Sequence, residues 1–121
     1  MRSKWIEHKG KKIFFQDFSN LESDTEAIKQ ELEQVQTEVI SCPKDSLLVL
    51  SDFRGTSITS EIMPILNASS AKTKDHVHKT AVLGVTGIKR TLGDFLTSLT
   101  GQKLKYFNIE YAAKDWLVVD E

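Results

Sequence analysis

Two short stretches of the chain carry residue types that could bind or react. The first reads Asp52-Phe53-Arg54-Gly55-Thr56-Ser57-Ile58-Thr59-Ser60. Gly55 permits a tight turn, and Thr56, Ser57, Thr59 and Ser60 supply hydroxyls just ahead of a helical pattern. Free amides at a helix start carry partial positive charge, so an anion or phosphate would settle there, with Arg54 as a two-pronged donor. The competing use is plain capping by Ser57 or Thr59, with Asp52 and Arg54 paired or solvated. The second stretch is Thr86-Gly87-Ile88-Lys89-Arg90. Gly87 lets backbone come close, and Lys89 and Arg90 fall in a first helical turn, where cations oppose the helix dipole. That mismatch points to an anion, or to a carboxylate across the edge such as Asp52. Ordinary surface charge explains it about as well.

Other chemistry is thinner. His76 and His78 stand two apart, as metal ligands sometimes do, but no third ligand lies in range, and no metal or other cofactor is expected. Cys42 precedes Pro43 with no His or Asn partner to activate it, and as the lone cysteine it allows no intrachain disulfide. Trp5 and Trp116 read as packing residues. There is no Gly-x-Gly-x-x-Gly, Walker loop or nucleophile elbow.

The elements that must position these residues are legible from periodicity. Trp5–His8 and Lys11–Asp17 flank Lys9-Gly10 as a hairpin, its lysines guarding an exposed turn or edge. Ser23-Asp24-Thr25-Glu26 matches a capping box, and Ile28, Leu32, Val35 and Val39 follow as one apolar stripe, with Glu31, Glu33, Gln34, Gln36 and Glu38 mostly on the wet side. Pro43 stops that helix. Ser46–Phe53 contains Leu47-Leu48-Val49-Leu50, apolar on both faces, the mark of a buried parallel strand. A helix from about Thr59 carries Ile62, Ile65 and Leu66 inward, and Pro64 must cost it a bond or distort its first turn. Lys79–Thr86 is the next strand. Ile88, Leu92, Phe95, Leu96 and Leu99 form a third helical stripe that ends at Gly101. Leu104–Phe107 is the last strand, and Asn108 is expected to cap a helix with Ile109, Ala112, Ala113, Trp116 and Leu117 inward. The order is ββαβαβαβα: an α/β fold, mostly parallel, with an antiparallel N-terminal edge hairpin and helices packed on the sheet. In such sheets ligands bind beyond the carboxyl ends of the strands. Both suggestive stretches are expected on that one rim, as a shared shallow cleft.

Length and charge bound the function. A chain of 121 residues makes one domain. Sixteen lysines and arginines against seventeen aspartates and glutamates leave a net charge of -1, so no long-range field favours nucleic acid. The longest apolar runs are far short of the roughly 20 residues that span a bilayer. No apolar stretch follows the charged N-terminus, so no signal peptide is expected and the cytoplasm is the default. An aspartate ending a buried strand suggests a response-regulator receiver. That reading fails: Asp17 has no second acid beside it, and Asn108-Ile109 stands where a lysine is needed.

In this order, three pieces resemble STAS-like proteins, the group of sulphate-transporter and anti-sigma-factor-antagonist domains, and more narrowly their stand-alone SpoIIAA-like branch. They are Leu47-Leu48-Val49-Leu50-Ser51-Asp52-Phe53-Arg54-Gly55, then Thr80-Ala81-Val82-Leu83-Gly84-Val85, then Tyr106-Phe107-Asn108 leading to Ala112-Ala113-Lys114-Asp115-Trp116-Leu117. The resemblance implies a mixed sheet and a role in protein–protein signalling rather than catalysis. It places a phosphorylatable hydroxyl at the helix start, for which Ser57 and Thr59 are the candidates, although Thr56-Ser57-Ile58-Thr59-Ser60-Glu61 replaces the usual Asp-Ser-Ser-Gly. The partner is expected to be a protein, or a small anionic or lipidic ligand. The branch is also grouped with CRAL-TRIO-like lipid-carrier lobes, which makes a carrier with an apolar groove the alternative. The edge near Trp5 could pair with a second copy to give a homodimer.

Overall fold

The computed structural model describes residues 1–84 and 103–119. A hairpin opens the fold, β1 (Lys4–His8) and β2 (Lys11–Asp17). Its two turn residues, Lys9 and Gly10, both have positive φ (50° and 83°), the turn hand that matches strand twist. There follow α1 (Thr25–Ile40), β3 (Leu47–Asp52), α2 (Met63–Thr73), a 3-10 turn (Lys74–His76), β4 (Val77–Leu83), β5 (Lys103–Phe107) and α3 (Glu110–Val118). The strands lie in the order β1-β2-β3-β4-β5, with β1 antiparallel to β2 and the rest parallel. The general expectation of an α/β mixed sheet with an antiparallel edge holds. The helix expected over 88–99 lies outside the described residues.

Each face of the sheet has its own core. Phe14, Val49 and Val82 point toward α1 and α2 and pack with Ile28, Leu32, Val35, Val39 and Leu66. Ile13, Leu50, Ala81 and Leu83 point the other way, against Ala113 and Leu117 of α3. The Leu47–Leu50 run splits between the two cores, as a strand covered on both sides must. No described helix is long and apolar enough to cross a membrane.

Several local expectations are corrected. The cap of α1 is Asp24, whose carboxylate accepts from the Ala27 amide at 3.1 Å, rather than Ser23. Backbone bonds from Asn20 and Glu22 to Arg54 and Gly55 hold the preceding segment beside another loop, and the helix starts one residue late. Glu31 is buried, not wet, because it accepts from the Arg2 and Ser3 amides (2.9 and 2.8 Å) and from the Ser3 hydroxyl. Pro64 costs α2 no bond: it falls at the second helical position, where amides have no intrahelical acceptor. Asn108 does not cap α3, whose extended N-cap is Ile109 with no side-chain bond. Ile109 and Ala112 face solvent, leaving Ala113 and Leu117 as the fully buried pair. β4 stops at Leu83, since Gly84 turns away at φ +80°.

Candidate functional site

Parallel strands β2, β3 and β4 end together, and their exit loops are laced into one rim. Asp17 and Asp52 are register partners at the ends of β2 and β3. Beyond them, Phe18 donates to Asp52, Asn20 to Arg54, Glu22 to Gly55 and Ser57 to Glu22, all through backbone amides at 2.7–3.0 Å. Phe53 donates likewise to Leu83 at 2.9 Å. Gly55 sits at φ +74°, and a Cβ there would lie 2.6 Å from the Asn20 side-chain oxygen. At Gly84 a Cβ would meet the Arg54 Cα and amide nitrogen at 2.6 Å, so this glycine is what lets the two loops touch.

The charged groups of the rim answer one another. Asp52 is 2% exposed. It accepts from the Arg54 amide at 3.0 Å and, in two-pronged fashion, from Arg54 Nε and Nη2 at 2.9 and 2.8 Å. The same Nη2 reaches Glu110 Oε1 of α3 at 2.8 Å, and Glu110 Oε2 takes Lys114 Nζ at 2.7 Å. The bond from Asp52, helped by Glu110, holds the Arg54 guanidinium charged more firmly than usual against the opposing effect of burial. Lys114 and, beyond the cost of burial, Arg54 keep the Glu110 carboxyl below its ordinary range. For Asp17, burial pushes the carboxyl up, but the Ser19 hydroxyl and amide and the Arg2 charge outweigh it and leave it low.

The hydroxyls divide into used and free. Thr56 is a strut, donating to the Phe18 carbonyl and accepting from the Leu21 amide at 3.0 Å. Thr59 caps the turn that enters α2, accepting from Ile62 at 3.3 Å. Ser57 is exposed, and its hydroxyl makes no hydrogen bond among the described residues. The structure thus brings Asp52, Arg54, Gly55, Thr56, Ser57 and Thr59 onto one rim. Thr86, Gly87, Lys89 and Arg90 lie outside the described residues, and with them the second half of the expected cleft.

The weaker candidates are occupied elsewhere. His76 Nδ1 bonds the Cys42 carbonyl at 2.7 Å and His78 Nδ1 bonds Asp45 at 2.9 Å, so the 3-10 turn and the start of β4 are each joined to the loop before β3. No group of three or more His, Cys, Asp or Glu able to hold a metal exists among the described residues. Trp5 stacks on Phe14 at 4.9 Å and donates to Glu38 at 3.0 Å. A cavity of about 70 Å³ lies between α1, α2 and the sheet, with apolar walls such as Phe18, Leu32 and Leu66 and a polar side at Gln16, Ser51 and Ser69.

Pattern reading missed Glu110 and Lys79. Lys79 is fully buried, its Nζ donating to the Trp116 and Val119 carbonyls at 3.0 and 2.8 Å and lying 4.9 Å from the Trp116 ring. Its signal was phase: it alternates in register with Ala81 and Leu83, both buried. No family model, curated protein or solved structure matches the chain.

Proposed function

We propose that the chain is a non-catalytic, cytoplasmic module of STAS type that binds a protein partner through the rim around Arg54, Gly55 and Ser57. The sequential parallel strands with one antiparallel edge agree with that family's architecture. One observation carries the functional part: the acids and bases of the rim consume one another. Asp52 is closed by Arg54, and Arg54 by Asp52 and Glu110, so no acid or base of that network is free for proton transfer. Among the described residues the rim offers outward backbone, the half-exposed guanidinium and the Ser57 hydroxyl, which suits recognition. Ser57 is also the better phosphorylation candidate, since the Thr59 hydroxyl is engaged in capping. A phosphate there would place about two negative charges beside the mutually paired Asp52, Arg54 and Glu110.

The carrier reading has less support. A cavity of about 70 Å³ is well below the roughly 300–1,000 Å³ of small-molecule pockets.

Enrichment from host cytosol with the immobilised chain tests the proposal. A partner retained by wild type and by Lys12→Glu, on an exposed site of the hairpin, should be lost with Ser57→Asp and Ser57→Trp. Equal retention by all four proteins refutes the rim as the surface. A small-molecule mass retained in native mass spectrometry after mild purification would favour the carrier instead.

A further inference from the structure

The helix α3 is attached to the sheet in a way α1 is not. The longer helix buries Ile28, Leu32, Val35 and Val39, whereas α3 buries fully only Ala113 and Leu117, with Trp116 and Val118 half-buried beside them. Ile109 and Tyr111 are 65% and 60% exposed, and no side chain caps the first turn of α3. Among the described residues α3 also has three polar ties, each to a different part of the fold. Arg54, after β3, holds Glu110 in the first turn at 2.8 Å. The end of β1 and the turn after it hold the middle: His8 Nε2 and Lys9 Nζ lie 2.8 and 2.9 Å from Asp115 Oδ1. The His8 ring meets Tyr111 edge-on at 5.3 Å, with Lys9 Nζ 5.7 Å from the same ring. From β4, Lys79 holds the last turn by its two carbonyls.

We propose that α3 is a releasable lid, kept on the second face of the sheet chiefly by these charged ties. Its release leaves the rest of the domain folded, since the core beneath α1 and α2 contains no residue of α3. Release uncovers the apolar strip of Ile13, Leu50, Ala81 and Leu83 together with the Lys79 ammonium. Local opening of this kind is expected where few apolar contacts hold an element, and exposed ion pairs weaken as salt screens them. The inference stands apart from the rim reading, because it needs no partner.

Amide hydrogen exchange on the intact chain tests it. At low salt the amides of Ala113–Leu117 should exchange at least about tenfold faster than those of Val35–Val39. Raising NaCl from about 0.05 to 0.5 M should accelerate α3 severalfold while leaving α1 unchanged. Glu110→Gln with Asp115→Asn should bring α3 near its high-salt rate at low salt and abolish most of the salt response. Fluorescence of Trp116 in a Trp5→Phe background should shift with salt in parallel. Exchange of α3 in step with α1 at both salt concentrations overturns the proposal without recourse to any variant. A full salt response surviving in the double variant overturns it too.

Discussion

Lys79 offers the sharpest test of how the second face is held. Replacing it with Met keeps most of the aliphatic volume and removes the ammonium, so cavity formation contributes little. Two carbonyls lose a charged donor. The Val119 carbonyl belongs to a residue 51% exposed and can turn to water, whereas that of half-buried Trp116 has less access. One carbonyl left short of a partner costs about 1–3 kcal/mol, and losing a cation at a helix C-terminus costs about 0.3–2 kcal/mol. The ring contact adds to the loss. Against this stands relief from keeping an ammonium out of water, which can cancel the gain of a buried ion when its partners are poor. Here the partners are good, two carbonyls at 3.0 and 2.8 Å plus an aromatic face. The expected net loss is about 2 kcal/mol, which lowers a urea midpoint by about 1 M for an m-value near 2 kcal/mol/M. An unchanged or raised midpoint would show that desolvation outweighs the contacts and that Lys79 does not anchor α3.

Two further outcomes follow from the rim and from the carboxylates that tie it. Arg54→Leu leaves Asp52 buried with only a backbone amide; because the guanidinium is half exposed, the cost is discounted to about 1–2 kcal/mol. Adding Asp52→Asn should recover part of it, and urea midpoints around the double-mutant cycle measure the coupling, which a strictly additive cycle would deny. Asp17, Glu110 and Asp115 are all held below their ordinary carboxyl range, the last by His8 and then Lys9. The unfolded chain therefore takes up protons first, so their contribution is complete above the ordinary range and disappears as pH falls below about 4. A urea midpoint rising on acidification through that window contradicts these directions.

The fold was legible because its signals are local. The two-residue hairpin loop, the Ile28–Val39 stripe and the Leu47–Leu50 run each specify an element within a dozen residues. Element order then left few ways to arrange a parallel sheet. Helix ends were less legible, because tertiary ties move them. Asp24 replaces Ser23 as cap where residues 20–22 are laced to the β3 exit loop, and Ile109 replaces Asn108. For the first helix the partners that hold the entry segment, Arg54 and Gly55, lie outside any local window.

The site shows the same division more strongly. That Asp52, Arg54, Gly55, Thr56, Ser57 and Thr59 share a turn was readable from contiguity, but which hydroxyls are used as struts and caps was not. Thr56 is spent on residues 18 and 21, more than 30 positions away in the chain. Glu31 and Lys79 make the general point. Each sits in phase with buried apolar neighbours, Glu31 between Ile28 and Val35, Lys79 ahead of Ala81 and Leu83. A charge in such a position is costly unless something answers it. The answers come from Ser3, 28 residues before Glu31, and from the carbonyls of Trp116 and Val119, 37 and 40 residues beyond Lys79. Period alone therefore identifies where a buried charge must be satisfied without naming its partner. Both misfits mark places where an element is fastened at long range: the segment before β1 by Glu31, α3 by Lys79. These two buried charges thus tie the segment before β1 and helix α3 to elements far away in the chain.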